Sequence, residues 1–567
     1  MSNTSTPPVI VLKIGGSVLT GEADIAGAVH EIYGWVRRGW RVVAVVSALH
    51  GATDRLLARA GKYGDEPSAV ATLVATGELT SASLIGLALD RSGVPAEVLD
   101  AAAIGLRSEG ARLDSTPVAV GVESLRAALR RVPVVVVPGF IARDEEGHTT
   151  PLGRGGSDLT ALFLAHKLGA RCRLIKDVPG VFDCDPKDGA ARRYARLSWD
   201  DLLSIGGKIV QAKTAAFARE NRVRFEVGGI LRGEATHIGW PTSLDGESSR
   251  TVRARLRVAL LGHGTVGAGV AKAVRRQAER FELVAVAVKH PEKPAHSAVP
   301  RRLVTTDSLG AATGAADVVI EAIGGIEPAR SLIEAALLTG KHVITANKAV
   351  LAAHGEELSR IAALRGVRLL YSAAVGGSVP VIEEIRRAAE RGIGVRSIQA
   401  VLNGTTNFVL DRVGAGASFA GAVLEAQQRG LAEADPSRDL DGRDALDKLI
   451  VLSREAWGRG PDRVDRTPVV AAPGAGIWRQ VATLSLQGER IAASVEPREL
   501  PVSHSLAEVR RESNGALITF DDGSAAFASG KGAGRWPTTE AVFADLVDVL
   551  DATRQARERE LEVVRAA

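Results

Sequence analysis

Short runs rich in valine and isoleucine alternate with longer amphipathic stretches along most of the chain. The runs Val9–Ile14, Val42–Val46, Val134–Val137 and Arg173–Ile175 belong to the first half. Arg257–Leu261, Leu283–Val288, Val318–Ile320, His342–Thr345 and Arg368–Tyr371 belong to the second. Strands that alternate with helices predict parallel sheets covered on both faces, an α/β fold in each half. Between the halves, the Gly, Pro, Ser and Asp content of Gly239–Arg250 predicts a linker, placed at 241–254 with the main boundary near residue 245. The Pro/Ala/Gly stretch Thr467–Gly476 is expected to be a loop, and no internal repeat is present.

Length and composition narrow this picture. A chain of 567 residues is too long for one core and predicts two to four folding units. Hydrophobic residues at 46% and charged residues at 24% are ordinary for a globular protein. The formal net charge is +5, opposite charges are interspersed, and no aromatic-plus-basic cluster is present, so a nucleic-acid partner is not expected. No stretch reaches the roughly 18 uninterrupted apolar residues of a membrane span, and no membrane association is expected. Two cysteines, Cys172 and Cys184, make no disulfide framework. With no signal-peptide pattern at the N-terminus, the expected location is a reducing cytoplasm.

Two glycine-rich turns follow predicted strands. Gly262-His-Gly264-Thr265-Val266-Gly267 lies between a strand and the helical run Ala268–Val274. There the first glycine permits a tight turn, the second admits a pyrophosphate, the third lets helix and strand pack, and the helix N-terminus faces the phosphates. An ordinary βα turn is the plainer reading; the strand–turn–helix setting favours a dinucleotide. An NAD site carries an acid at the end of the second strand. This chain has Lys289-His290 there, which favours NADP(H) over NAD(H), against a plain reading of Lys289 as a solvated side chain. The other turn, Lys13-Ile-Gly15-Gly16-Ser17, can cradle phosphates, although its order is not that of a Walker A loop.

Gly324-Gly325-Ile-Glu-Pro-Ala, Gly340-Lys-His-Val-Ile-Thr345-Ala-Asn347-Lys348, Asn403-Gly404-Thr405-Thr-Asn407, Glu433 through Lys448, and Gly530-Lys-Gly-Ala-Gly534 resemble the signature blocks of homoserine dehydrogenases, in the family's order. The resemblance implies a Rossmann domain over 255–375, an α/β substrate and dimerisation domain over 376–525, and a segment 526–567 returning to the nucleotide domain. It implies reduction of aspartate semialdehyde to homoserine. Such a reduction needs a hydride donor, a group that polarises the carbonyl, and a proton for the alkoxide, tasks an ammonium suits. The resemblance makes Lys448 the main acid/base, Lys348 its partner, and Asp444 the residue that orients Lys448 from one turn away. Taken as a bare pair, Asp444 and Lys448 read as a solvated salt bridge. Glu433 and Asp439 are expected to hold the substrate ammonium, with Asn403, Gly404 and Thr405 near the substrate and Thr345, Asn347 and Lys348 near the cofactor. Backbone carbonyls of Val375 and Gly377 are expected to form a monovalent-cation site. Ser372 stands where the family often has an acid, a departure that bears on that site.

In the first half, Ser47 through Thr53, Gly77-Glu78, Pro138-Gly-Phe-Ile, Leu-Gly-Arg154-Gly-Gly-Ser157-Asp158, Lys176-Asp177 through Asp185-Pro186, and Gly206-Gly207-Lys208 resemble the amino-acid-kinase superfamily, aspartate kinases above all. This implies an α/β sandwich over 1–240 that uses ATP with Mg2+. Lys13 is expected on the transferring phosphate with Gly15 and Gly16, and Lys208 on the nucleotide phosphates. Arg154 is expected to clamp the aspartate α-carboxylate, and Glu78 to bind the ammonium. Ser47, Thr53, Ser157 and Asp158 complete these contacts, with Asp158 counted as catalytic, while Asp177, Phe182 and Asp185 line the nucleotide pocket. Ile14 stands where aspartate kinases have phenylalanine, which leaves open another acceptor; a degenerate binding module is the reading from a different class. About 25 residues separate Val227 from Arg255, too few for the roughly 50 of an independent regulatory domain. Feedback inhibition by threonine or lysine is therefore not expected. Both resemblances imply a homodimer or higher homo-oligomer.

Overall fold

The computed structural model describes residues 7–185, 191–207, 209–231, 233–248, 255–293, 296, 298–469 and 476–566. The chain divides into two compact units that meet in sequence at residues 252 and 253.

The first unit is built on a nine-stranded sheet in the order Ser243–Ser248, Arg192–Leu197, Ala235–Ile238, Phe225–Gly229, Arg171–Lys176, Val9–Ile14, Arg41–Val46, Val134–Pro138, Ala96–Val98. From Phe225–Gly229 to Ala96–Val98 every neighbouring pair is parallel. The central strands are buried on both faces, which is why their sequences run apolar instead of alternating. A four-stranded sheet, Asp114–Ala119, Arg107–Ala111, Ile141–Arg143 and Thr149–Pro151, lies in the same unit. The helix Gly156–Leu168 is buried over its first ten residues, Gly156–Ala165, so it is enclosed on all sides: Leu159 and Ala161–Ala165 join the core, and the polar Ser157, Asp158 and Thr160 are buried with them. Helix Pro67–Arg91 is long and apolar enough by composition to cross a membrane. Here it packs on the strand Val134–Pro138 and the helix Ile25–Arg37, and it carries the buried Glu78.

One expectation fails at the boundary. The segment 241–254, read as a linker, contains the strand Ser243–Ser248, which pairs antiparallel with Arg192–Leu197. Gly, Ser and Asp are poor strand formers, but an edge position asks only for backbone pairing on one side.

In the second unit, six parallel strands run Val304–Thr305, Phe281–Ala287, Leu256–Leu261, Val318–Glu321, His342–Thr345, Leu369–Leu370. In chain order this is 3-2-1-4-5-6, the doubly wound Rossmann arrangement. The other sheet of the unit was not announced by strand–helix alternation, because it is mostly antiparallel: Arg463–Arg466, Arg490–Leu500, Ile477–Gln487, Val395–Val401, Ser513–Phe520, Ala525–Lys531. Ile477–Gln487 and Arg490–Leu500 form a hairpin closed by Gly488 at φ 62° and Glu489. One hydrophobic core runs through both sheets, from Ala259 and Val319 to Ala482 and Ala516.

The expected return segment, 526–567, begins later than placed, since Ala525–Lys531 is the edge strand of the antiparallel sheet. The return is made by the helix Arg535–Ala566, which packs on the helix Thr265–Arg276 and sets Phe543 edge-on to Phe281 with ring centres 5.8 Å apart. Gly269 lets the two helices approach, for a Cβ there would meet Thr539 Oγ1 at 2.4 Å. Most of the Thr467–Gly476 stretch, along with Pro186 and Lys208, lies outside the described residues.

Candidate active sites

In the second unit the glycine turn joins the strand Leu256–Leu261 to the helix Thr265–Arg276, with Gly264 as the residue before its first turn. Gly262 holds φ 95°, and a Cβ there would meet Ala322 O at 2.6 Å; a Cβ on Gly267 would meet Gly262 O at 2.1 Å. Gly264 differs, with nothing within 4 Å of its would-be Cβ. The outer two glycines thus serve the fold and the middle one leaves open space before a helix N-terminus, with exposed Thr265 and half-buried Val266 beside it, a cradle that fits a pyrophosphate. Lys289 and His290 are exposed just beyond the second strand, with no acid at that position. His263, within the turn, lies 3.0 Å from His296 between their Nδ1 atoms, and burial and this neighbour hold its pKa below the usual value.

Across the crevice, Thr345 ends the strand His342–Thr345 and donates to Glu321 Oε2 at 2.5 Å. Asn347 donates from its backbone to Thr345 Oγ1 at 3.0 Å and from its side chain to Gly325 O at 2.6 Å. Its carbonyl oxygen caps the helix Lys348–Arg365 by accepting from Val350 N at 3.2 Å. Lys348 is therefore the first residue of a helix rooted at the carboxyl end of a dinucleotide-domain strand. Glu321, fully buried at the end of Val318–Glu321, also accepts from Ile323 N and Gly324 N at 2.7 and 3.2 Å. Sequence reasoning passed over it, although a lone acid after Val-Val-Ile was the visible signal.

The lysine cluster lies between this helix and Arg443–Trp457. Lys448 is buried and donates to Asp444 Oδ2 at 2.8 Å and to Leu402 O at 2.6 Å. The other oxygen of Asp444 is taken by the Lys348 ammonium, 96 residues away in sequence. Asn403 Nδ2 bridges Asp444 Oδ2 at 2.9 Å and Asp439 Oδ1 at 2.8 Å, while its own oxygen caps the helix Gly404–Gly414 through Thr406 N. Gln480, absent from the sequence-derived set, donates to Asp439 O at 3.2 Å. Gly404 meets the chain at Glu512, whose Cα would stand 3.0 Å from a Cβ, and Thr405 donates to Leu431 O at 2.7 Å. The structure does not bring Glu433 into this cluster; it is exposed on the loop before Ser437.

Charge in the cluster is tightly coupled. Burial works to raise the Asp444 carboxyl, but the Lys448 and Lys348 ammoniums outweigh it and hold the group well below the carboxylate range. Burial pulls the Lys448 ammonium below the usual lysine value against the opposing pull of Asp444. A buried lysine with a depressed pKa gives up a proton more readily than a solvated one. Nearby, the Ser372 amide and hydroxyl donate to the fully buried Asp545 at 3.1 and 2.8 Å, so the position of the missing family acid is served from the C-terminal helix. The chain beyond it turns through Val375 and the positive φ of Gly376 and Gly377, 82° and 61°.

In the first unit, Lys13 near the end of Val9–Ile14 and Lys176 at the end of Arg171–Lys176 converge on Asp158, at 2.9 and 2.7 Å. Asp158 sits in the first turn of the helix Gly156–Leu168, entered through Gly155 at φ 77°. Burial raises its carboxyl, yet the two ammoniums hold it below the usual value. Lys176 was visible in the Lys176-Asp177 block but was not picked out. Gly15 makes room for the Lys13 ammonium, since a Cβ would stand 2.3 Å from Nζ, and at Gly16 a Cβ would meet Ala48 O at 3.1 Å. Gly139 passes Ser157 closely, at 2.7 Å from a would-be Cβ to Ser157 Cβ. Glu78 is buried, and its Oε2 has no hydrogen-bond partner among the described residues. Burial pushes its carboxyl up to about 8, with the Ala48 backbone and Lys13 opposing. Arg154 is exposed on the turn before the helix, and Ser47 and Thr53 are half-buried beyond the strand Arg41–Val46. Phe182 bridges Arg193, while Asp177 and Asp185 are exposed.

Residues 380–547 match the homoserine dehydrogenase family, 262–372 the homoserine dehydrogenase NAD-binding domain, and 8–225 the amino acid kinase family. A homoserine dehydrogenase of Synechocystis sp. is 35% identical over 318 residues, 52% of this chain and 73% of the relative. One from Corynebacterium glutamicum is 35% identical over 316 residues, 51% of this chain and 71% of the relative. The crystal structure of a homoserine dehydrogenase from Thiobacillus denitrificans is 33% identical, covers 52% of this chain and 73% of its own, and has a TM-score of 0.48.

Proposed function

The chain belongs to the homoserine dehydrogenase family and carries an amino acid kinase domain ahead of it, and on that premise we propose that the second unit reduces L-aspartate 4-semialdehyde to L-homoserine at Lys448 and Lys348, while the first phosphorylates L-aspartate. The observation that carries the reduction is the shared carboxylate: Asp444 joins Lys448, within the Arg443–Trp457 helix, to Lys348, rooted at the dinucleotide crevice.

When bound, NADPH supplies the hydride to the aldehyde carbon. Lys448 directs a proton to the carbonyl oxygen as it gains electrons, and is reprotonated from solvent after product leaves. Lys348 adds a second positive charge beside that oxygen. Asp444 keeps both ammoniums in place without accepting the proton, because it is held ionised. Asp439, fixed by Asn403, receives the substrate ammonium; the exposed Glu433 joins it only if its loop folds inward. Lys289 favours the 2′-phosphate of NADP(H). Loss of NADPH absorbance with the semialdehyde, in wild type and in Lys448→Ala, tests this reading.

For the kinase, ATP with Mg2+ supplies the phosphoryl group. Lys13 neutralises the transferring phosphoryl oxygens and Gly15 leaves the space it needs. Asp158 holds Lys13 and Lys176 in one place. Glu78 takes the substrate ammonium, which gives its orphaned Oε2 a partner, and Arg154 takes the α-carboxylate. Hydroxylamine trapping of the acyl phosphate from aspartate and MgATP tests this half. Trapping with another carboxylate and not with aspartate would reassign the acceptor. No ATP turnover in wild type would leave a binding module.

A further inference from the structure

We propose that the second unit holds an anion site at the amino-terminal ends of its central parallel strands, opposite the dinucleotide turn, for a small phosphate or dicarboxylate. A cavity of about 180 Å³ opens where the strands Leu256–Leu261, Val318–Glu321 and His342–Thr345 begin, and the helix Arg535–Ala566 forms its other wall. Strands of this length put it roughly 15–20 Å from the glycine turn at their far ends. Four cationic side chains line it: Arg255 and Lys341 from the residues just before two of these strands, Arg554 and Arg557 from the helix. The helix pair stands at i, i+3, on one face.

The single acid in the lining, Asp317, is already neutralised. Arg257, which does not line the cavity, donates to its two oxygens at 2.7 and 3.2 Å, and its backbone N–H adds a third bond at 2.9 Å. Arg255 shares a 3.1 Å ion pair with Glu282 in which both side chains remain about half exposed. Arg554 keeps an interaction of its own, and Lys341 lies near enough to Asp317 to help hold that carboxyl below its usual value; neither Lys341 nor Arg557 makes a side-chain hydrogen bond or ion pair among the described residues. Cations gathered round one cavity repel, and a dianion between them turns that repulsion into attraction. His342 adds a donor, because its Nδ1 accepts from Arg368 N at 3.0 Å, which leaves the proton on Nε2. The cavity suits a phosphate or a short dicarboxylate in size, and both satisfy the guanidinium forks.

A ligand here braces the C-terminal helix against the sheet. That helix also packs Phe543 on Phe281 and holds Ser372 through Asp545. The site thus acts first on the stability of the nucleotide domain.

The test is phosphate binding to the full chain, by calorimetry and by melting, at ionic strength held constant with chloride, with malonate as a second probe. Phosphate or malonate is expected to raise Tm by a few degrees where chloride does not. Lys341→Glu and Arg557→Glu are each expected to weaken binding at least about tenfold, about 1.4 kcal/mol, and to leave semialdehyde reduction without added anion unchanged. Lys341→Gln, which keeps the stem, should lose less. A preference for malonate would assign the carboxylate source, a preference for phosphate the phosphate ester. The proposal is overturned if no anion-specific shift occurs. It is equally overturned if the shift survives both charge reversals, since the anion would then be occupying a nucleotide crevice.

Discussion

Lys448 follows Asp444 by one helical turn and donates to its Oδ2 at 2.8 Å with both side chains about 9% exposed. On a helix surface such a pair contributes about 0.3–0.5 kcal/mol. Here it is buried and shared with Lys348, so its weight lies in fixing charge where an aldehyde oxygen would sit. Replacing Lys448 with alanine leaves Lys348 to pair with Asp444. We expect kcat for semialdehyde reduction to fall at least about a hundredfold with Tm changed by only a few degrees. Turnover within a few-fold of wild type would remove Lys448 from the reaction.

The carboxylate also sets when Lys448 carries its proton. Burial lowers the lysine pKa and Asp444 raises it back. Reduction needs the protonated ammonium, so its rate should fall as pH rises through the Lys448 value. In Asp444→Asn the opposing pull is gone, and the alkaline limb of the reduction profile should move to lower pH. A limb that stays in place would show that another group gives the proton.

Glu78 titrates the other way. Its carboxyl, raised from 4.5 to about 8, is neutral in the folded protein at pH 7 and ionised in the unfolded chain. The folded state binds the extra proton, so this group makes stability fall as pH rises from the unfolded value and level off above about 8. Glu78→Gln should therefore melt higher than wild type at pH 8 in the absence of substrate, while losing kinase activity. If an ammonium substrate binds there, Glu78 ionises, and aspartate binding at pH 7 should release a proton. Calorimetry in buffers of different ionisation enthalpy reads this directly; no release would separate Glu78 from the substrate.

The dinucleotide turn offers a contrast between two glycines. An alanine at Gly267 must push against Gly262 O, 2.1 Å away, whereas one at Gly264 meets nothing within 4 Å. Gly267→Ala should cost about 1–3 kcal/mol of stability as an overpacked site and lower Tm. Gly264→Ala should keep the Tm of the unliganded protein and raise KM for NADPH. Equal melting of the two variants would contradict the division of labour.

Lys289 is exposed beyond the second strand, with no acid at that position. Lys289→Glu should lower kcat/KM with NADPH about tenfold or more, the effect of losing one favourable charge contact, and leave NADH turnover near wild type. Equal losses with both cofactors would place the 2′-phosphate elsewhere.

Strand–turn–helix at Gly262–Gly267, the apolar runs that become the parallel strands of both units, and the i, i+4 spacing of Asp444 and Lys448 could be read from sequence because each shows in the pattern of residues close along the chain. A Cβ at Gly267 is excluded by Gly262 O only five residues away, whereas the room denied to a Cβ at Gly262 is taken by Ala322 beyond the neighbouring strand, so half of that turn's steric logic is itself tertiary. Only tertiary packing decided that Lys348 closes on Asp444 across 96 residues, that Lys176 joins Lys13 on Asp158, that Asp545 serves Ser372, and that Glu433 stands outside the cluster. It also turned the polar stretch Ser243–Ser248 into an edge strand, since the free backbone groups of Arg192–Leu197 were what it had to match. Local sterics write themselves into neighbouring residues. A meeting of distant side chains depends on how whole elements pack, and no short stretch of sequence carries that information.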